Sequence, residues 1–106
     1  CVAYGISSRV CEEAVKKARE KGVKLGLVRL KTAWPFPVKA FEEVNPNVKG
    51  FLSVEMSIKG QVVPDIRLAT KCKYPVYGYF SVKDVPDSDV VVETAEAIIA
   101  GTAKEV

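Results

Sequence analysis

Four short apolar runs, rich in β-branched and aromatic residues, recur along the chain: Val2 to Tyr4, Lys24 to Leu30, Phe51 to Val54, and Tyr74 to Phe80. Between them lie stretches with helical periodicity. Antiparallel neighbours can be joined by a two-residue turn, whereas parallel strands need a crossover of a dozen or more residues, usually a helix. The spacing therefore predicts β-α-β-α-β-α-β-α: an α/β fold in three layers, α/β/α, with a mainly parallel sheet and helices on both faces. No internal repeat or low-complexity segment breaks the pattern.

The helical stretches are specified in detail. Gly5-Ile6-Ser7-Ser8 reads as the turn into a first helix capped by Ser7 or Ser8. Val10, Cys11, Ala14, Val15 and Ala18 recur at spacings of three and four along one face, Glu12–Lys16 and Glu13–Lys17 form i,i+4 pairs, and Gly22 supplies the stop. The second run, with Leu25, Leu27, Val28 and Leu30, is too continuous for a sheet face open to water and predicts a strand buried on both sides. Pro35 and Pro37 forbid a helix through the next loop, and Pro37 is placed to open one that carries Phe41 and Val44 inward; Asn45-Pro46-Asn47 is a turn. A helix from about Pro64 should turn Ile66, Leu68 and Ala69 to the core. Pro75 implies a strand that begins there or lies at an edge. Pro86 to Asp89 caps a last helix with a stripe of Val91, Ala95, Ile98 and Ile99, although Val90 to Val92 also fits a strand.

Length and composition, 106 residues of which 48% are hydrophobic, fit one domain spanning 1–106. The chain has no initiator Met and opens inside a strand, as an excised piece of a longer polypeptide would. The net charge of +3 is spread among interleaved Lys and Glu, which favours a solvated surface over a nucleic-acid patch. Cys1, Cys11 and Cys72 are widely spaced and unaccompanied by any His. They suit buried free thiols in a reducing, cytoplasmic setting better than a metal or disulfide site. No run approaches the length of a membrane span. A single Gln and two Asn hint at a thermophilic source.

Catalytic constellations are missing. Without His the commonest general base is absent, and there is no nucleophile elbow, Walker loop or G-x-G-x-x-G. Two features remain. Gly5, Ser7 and Ser8 at a helix N-terminus are either a cap or an anion site, the latter giving a mononucleotide- or coenzyme-binding module. Glu55 ends the central apolar run ahead of a polar loop with Gly60 and Gln61; it serves as a general base or a ligand contact, or as a carboxylate holding loop N–H groups or a neighbouring domain. Trp34 and Phe36 either pin their loop to the domain or form a docking face.

Taken together, Val2 to Arg9, Gly22 to Thr32, Trp34-Pro35-Phe36-Pro37, Val54-Glu55-Met56 with Gly60-Gln61, and Asp65-Ile66-Arg67 resemble the α subunit of 2-oxoacid:ferredoxin oxidoreductases, its C-terminal domain. The 2-oxoglutarate and branched-chain 2-oxoacid members match better than the pyruvate enzymes. The resemblance implies a transketolase C-terminal-domain-like fold with local strand order 2-1-3-4. It implies an enzyme that decarboxylates a 2-oxoacid, in the first instance 2-oxoglutarate, on thiamine diphosphate with Mg. The acyl group passes to coenzyme A, and electrons pass through an iron-sulfur cluster to ferredoxin. Thiamine diphosphate is held by the preceding domain of the α subunit and by the β subunit, so this piece should bind no cofactor and carry no catalytic residue. Gly5, Ser7, Ser8 and Arg9, with Trp34 to Pro37 and Glu55, Gly60 and Gln61, would line a crevice or domain interface. The family's loop reads Glu-Met-Asn-x-Gly-Gln; here Ser57 replaces Asn and one residue is added, so the roles of Ser57 and Ile58 do not carry over.

Overall fold

The structure, a computed structural model, describes residues 1–30, 41, 48–56, 62–81 and 86–104. The first strand, β1 (Val2–Tyr4), leads through Gly5 into helix α1 (Ile6–Glu20), followed by β2 (Val28–Leu30) and β3 (Phe51–Glu55). Helix α2 (Val63–Ala69), β4 (Val76–Phe80) and helix α3 (Ser88–Ala100) complete the described elements. The four strands form one parallel sheet in the order β2-β1-β3-β4, as expected.

Alternation along the strands sorts side chains onto two faces. Ala3, Leu52 and Val54 pack with Cys11, Ala14, Ala18, Val91, Val92 and Ala95, so α1 and α3 cover one face together. Val2, Leu30, Phe51 and Val76 pack with Val62, Val63, Ile66 and Phe41 on the other. Phe41 is helical and buried, its ring centroid 5.4 Å from that of Phe51. Lys17 pins α1 to the start of α3 through the Ser88 hydroxyl at 2.8 Å and the Asp89 carboxylate at 3.0 Å. The Asp89 hydrogen bond, with Asp89 and Glu13 charges adding to it, raises the Lys17 pKa above its ordinary value. Lys21, one turn further along α1, reaches Glu96 at 3.7 Å.

Several local expectations are corrected. The α1 cap is Gly5, not Ser7 or Ser8: both serines lie inside the first turn, and no side chain caps the helix. At the other end Gly22, with φ of 80°, closes a Schellman motif in which the Val23 N–H reaches the Ala18 carbonyl at 2.8 Å. The second strand is three residues long, not the whole of Lys24 to Leu30, and only partly buried. It is the edge strand beyond β1, which offers it only Val2–Tyr4 as ladder partners, and its central Arg29 is exposed and pairs with Glu12 at 3.2 Å. Glu12 thus crosses to the sheet edge rather than meeting Lys16, while Glu13–Lys17 forms at 3.5 Å. Leu68 is 76% exposed, because the seven-residue α2 turns only Val63 and Ile66 fully inward. The α3 stripe centres on Val91, Val92 and Ala95, leaving Ile99 half in solvent, and Val90 to Val92 is helical. Asp87 caps that helix by accepting from the Asp89 N–H at 2.9 Å. The fourth strand begins at Val76, just after Pro75, and is the other edge.

Only Cys11 of the three free thiols is buried. Cys72 is exposed, in the turn after α2 where Lys71 and Cys72 both take positive φ and the Cys72 N–H returns to the Arg67 carbonyl at 2.9 Å. Burial pushes the Cys11 thiol up to about 11. An aromatic disulfide reagent near neutral pH should therefore modify Cys72 at the rate of an open thiol and Cys11 only after unfolding. Equal reactivity of the two sites in the folded chain would contradict this packing.

Candidate functional site

Parallel strands bring all four carboxyl ends to one rim of the sheet. The pairing of Val2 with Ser53 sets Tyr4 level with Glu55, and Glu55 pairs with Phe80. The exits from β1 and β3 are therefore neighbours, at the position where open α/β sheets meet ligands and partners. Gly5 makes the first exit with φ of 60° and ψ of −139°, a backbone state that L side chains rarely adopt, although space for a Cβ is free.

This turn uses its own polar groups. The Ser8 hydroxyl donates to the Gly5 carbonyl at 2.6 Å, and the Ser8 N–H donates to the same oxygen at 3.1 Å. Ser7 and Ser8 are both buried, and the Ser8 hydroxyl is taken by the Gly5 carbonyl; Arg9 is exposed. The second exit is built on Glu55, which is 1% exposed. Its side chain points to the same sheet face as Ser53, two residues back, whose hydroxyl donates to Oε2 at 2.7 Å. The Val62 N–H lies 3.2 Å from each carboxylate oxygen, which ties the end of β3 to the residue entering α2. Among the described residues no buried side-chain polar atom lacks a partner. Among the described residues beyond these two exits, Ile6 is 52% exposed and Met56 46% exposed, with Arg9 exposed beside them on α1. Trp34, Pro35, Phe36, Pro37, Gly60 and Gln61 lie outside the described residues.

Sequence reasoning missed a feature at the opposite rim. An open groove of about 800 Å³ runs beneath the strand amino ends, walled by Val23 to Val28, Val48 to Leu52 and the α3 residues Ala95, Ile98 and Ile99. The exposed Ile99 at the end of a helical stripe is its trace in the sequence. Among the described residues no three His, Cys, Asp or Glu side chains are grouped to hold a metal, and no helix is long and apolar enough to cross a membrane.

The family model for the pyruvate:ferredoxin oxidoreductase core domain II matches residues 1–95. The chain belongs to that family. Its relatives include subunit VorB of the ketoisovalerate oxidoreductase of Methanothermobacter marburgensis, 49% identical over 72 residues, covering 68% of this chain and 20% of the relative. Subunit KorA of the 2-oxoglutarate synthase of Archaeoglobus fulgidus is 30% identical over 95 residues, covering 90% of this chain and 27% of the relative. The alpha subunit of an NADH-dependent phenylglyoxylate dehydrogenase from Aromatoleum evansii is 37% identical over 57 residues, covering 54% of this chain and 14% of the relative. The core-domain-II chain thus spans about a fifth of the VorB subunit it matches. No solved structure gives a significant match.

Proposed function

We propose that residues 1–106 are the C-terminal, assembly-forming domain of the α subunit of a thiamine diphosphate-dependent 2-oxoacid:ferredoxin oxidoreductase, with no catalytic residue of their own. The observation that carries this reading is the saturation of Glu55. Among the described residues the buried carboxylate at the carboxyl rim is spent on Ser53 and Val62, and the exits around it expose Ile6 and Met56. A general base must reach a substrate proton, and a carboxylate closed over by its own chain does not. Exposed apolar side chains on neighbouring strand exits suit contact with another domain or subunit. Of the two hydroxyls that a mononucleotide site would use, that of Ser8 is bonded to the Gly5 carbonyl.

The described residues do not fit thiamine diphosphate. They offer no cluster of acids for its Mg ion, and the Glu55 oxygens that would have to serve are already bonded. In this reading the cofactors, thiamine diphosphate with Mg, an iron-sulfur cluster and coenzyme A, are held by the rest of the α subunit and by the β subunit. The whole enzyme works in the cytoplasm, passing the acyl group to coenzyme A and electrons to ferredoxin. Identity of 49% over 72 residues with VorB, against 36% over 66 residues with KorA of the same organism, favours a branched-chain 2-oxoacid such as ketoisovalerate over 2-oxoglutarate.

The test uses the complete α subunit co-expressed with its companion subunits. Ile6→Asp with Met56→Asp should weaken subunit association by roughly tenfold or more while leaving thermal unfolding of the 106-residue chain unchanged. The assembled enzyme should reduce a viologen dye faster with ketoisovalerate than with 2-oxoglutarate, coenzyme A being present in both. Normal assembly of the double variant, or decarboxylation by the 106-residue chain alone, would overturn the reading.

A further inference from the structure

The groove at the strand amino ends combines apolar walls with two lysines, Lys24 and Lys49, which are the charged side chains among its described lining residues. Its walls include Leu25, Leu27, Val48, Ile98 and Ile99. The connections that enter β2, β3 and β4 contribute Lys24, Lys49, Lys71 and Lys73, all exposed and without an ion pair among the described residues. Strand order spreads these charges across the whole rim: Lys24 below β2 at one edge, Lys49 below β3, and Lys71 and Lys73 below β4 at the other edge. Helices of a parallel α/β fold run opposite to the strands, so their carboxyl ends reach this rim too. Of the acids at the carboxyl ends of α1 and α3, Glu96 is held by Lys21, leaving Glu20 as the counterweight among the described residues.

Lysine at a helix carboxyl end is ordinarily explained by the helix dipole. That accounts for Lys21. It does not account for Lys24 or Lys49, which stand in the segments leading into strands and themselves line the groove. The interleaving of Lys and Glu along the chain conceals this segregation, because alternate segments of an α/β fold return to the same rim.

We propose that this groove docks an acidic amphipathic segment of a protein partner, its apolar face on Leu27, Ile98 and Ile99 and its carboxylates toward Lys24 and Lys49. The apolar floor favours a peptide over a nucleic acid, whose phosphates would use the lysines and leave the aliphatic walls uncovered. The surface lies at the opposite end of the strands from Ile6 and Met56, so it does not depend on the assembly role proposed above.

Fluorescence anisotropy on the full 106-residue chain tests it with a labelled helical peptide that carries leucines at i, i+3, i+4 and i+7 and glutamates elsewhere. The same peptide with lysines for glutamates, and an oligothymidylate, are the other arms. The acidic peptide should bind at least about tenfold tighter than its basic counterpart and weaken with added salt. Lys24→Glu with Lys49→Glu should cost it roughly tenfold, and Ile99→Ser roughly threefold, with the circular dichroism of both variants unchanged. Equal binding of the two peptides, no binding, insensitivity to either variant, or tighter binding of the oligothymidylate would overturn the proposal.

Discussion

Glu55→Ala should destabilise the chain by about 3–5 kcal/mol, the largest loss expected of any single side-chain truncation at the carboxyl rim. Alanine removes the acceptor for the Ser53 hydroxyl and for the Val62 N–H at a position 1% exposed, so two buried donors lose their partner together. Glu55→Gln keeps one carbonyl oxygen and should cost less, about 1–2 kcal/mol, because it loses the charge assistance while retaining an acceptor. Urea unfolding measures both, and amide hydrogen exchange at Val62 separates local from global effects. In the alanine variant that amide should exchange faster than its neighbours in β3. A loss below about 1 kcal/mol for Glu55→Ala would mean that the carboxylate is not what ties β3 to α2.

Ile66→Ala should cost about 3–4 kcal/mol. Its side chain is fully buried among Val2, Phe51, Val62, Val63 and Val76, and it is the chief apolar anchor of a seven-residue helix. A helix of that length has no appreciable stability by itself; it exists because its inner face is packed. Truncation therefore removes transfer energy, leaves a cavity against the sheet and loosens the whole α2 segment. Leu68→Ala, two residues on, should change stability by no more than about 0.5 kcal/mol, since that side chain stands in solvent. The pair distinguishes packing from helix propensity, because leucine and isoleucine truncations alter propensity in the same direction. Similar losses at the two positions would contradict the assigned orientation of α2.

Glu55 and Leu68 show how far the sequence could be read. A carboxylate closing the apolar run Phe51 to Val54 is anomalous in any strand. That anomaly pointed both to the strand end and to a carboxylate holding a loop N–H, which the Val62 bond realises. Leu68 was misread against the helical period: it stands two residues from Ile66 and so on the other side of the helix, whereas Val63 and Ile66, three apart, share the inward face. The serines after Gly5 were misread for a related reason. Ser is a preferred cap, but Gly5 already provides the non-helical backbone state one residue earlier, which places Ser7 and Ser8 inside the first turn.

Apolar runs of strand length, alternating with helical stretches long enough to cross over, required parallel pairing before any coordinate was known, because chain reach and backbone hydrogen bonding leave little choice. Strand order followed from the family resemblance. Three-dimensional packing alone decided that Lys24 to Leu30 contributes a three-residue edge strand, that Cys72 is open to solvent, and that Lys24 and Lys49, far apart in the chain, border one apolar groove. The physical reason is the same in each case. Hydrophobic periodicity is local and can be counted along a chain, whereas edge position, exposure and the sign of a surface depend on which distant segments become neighbours.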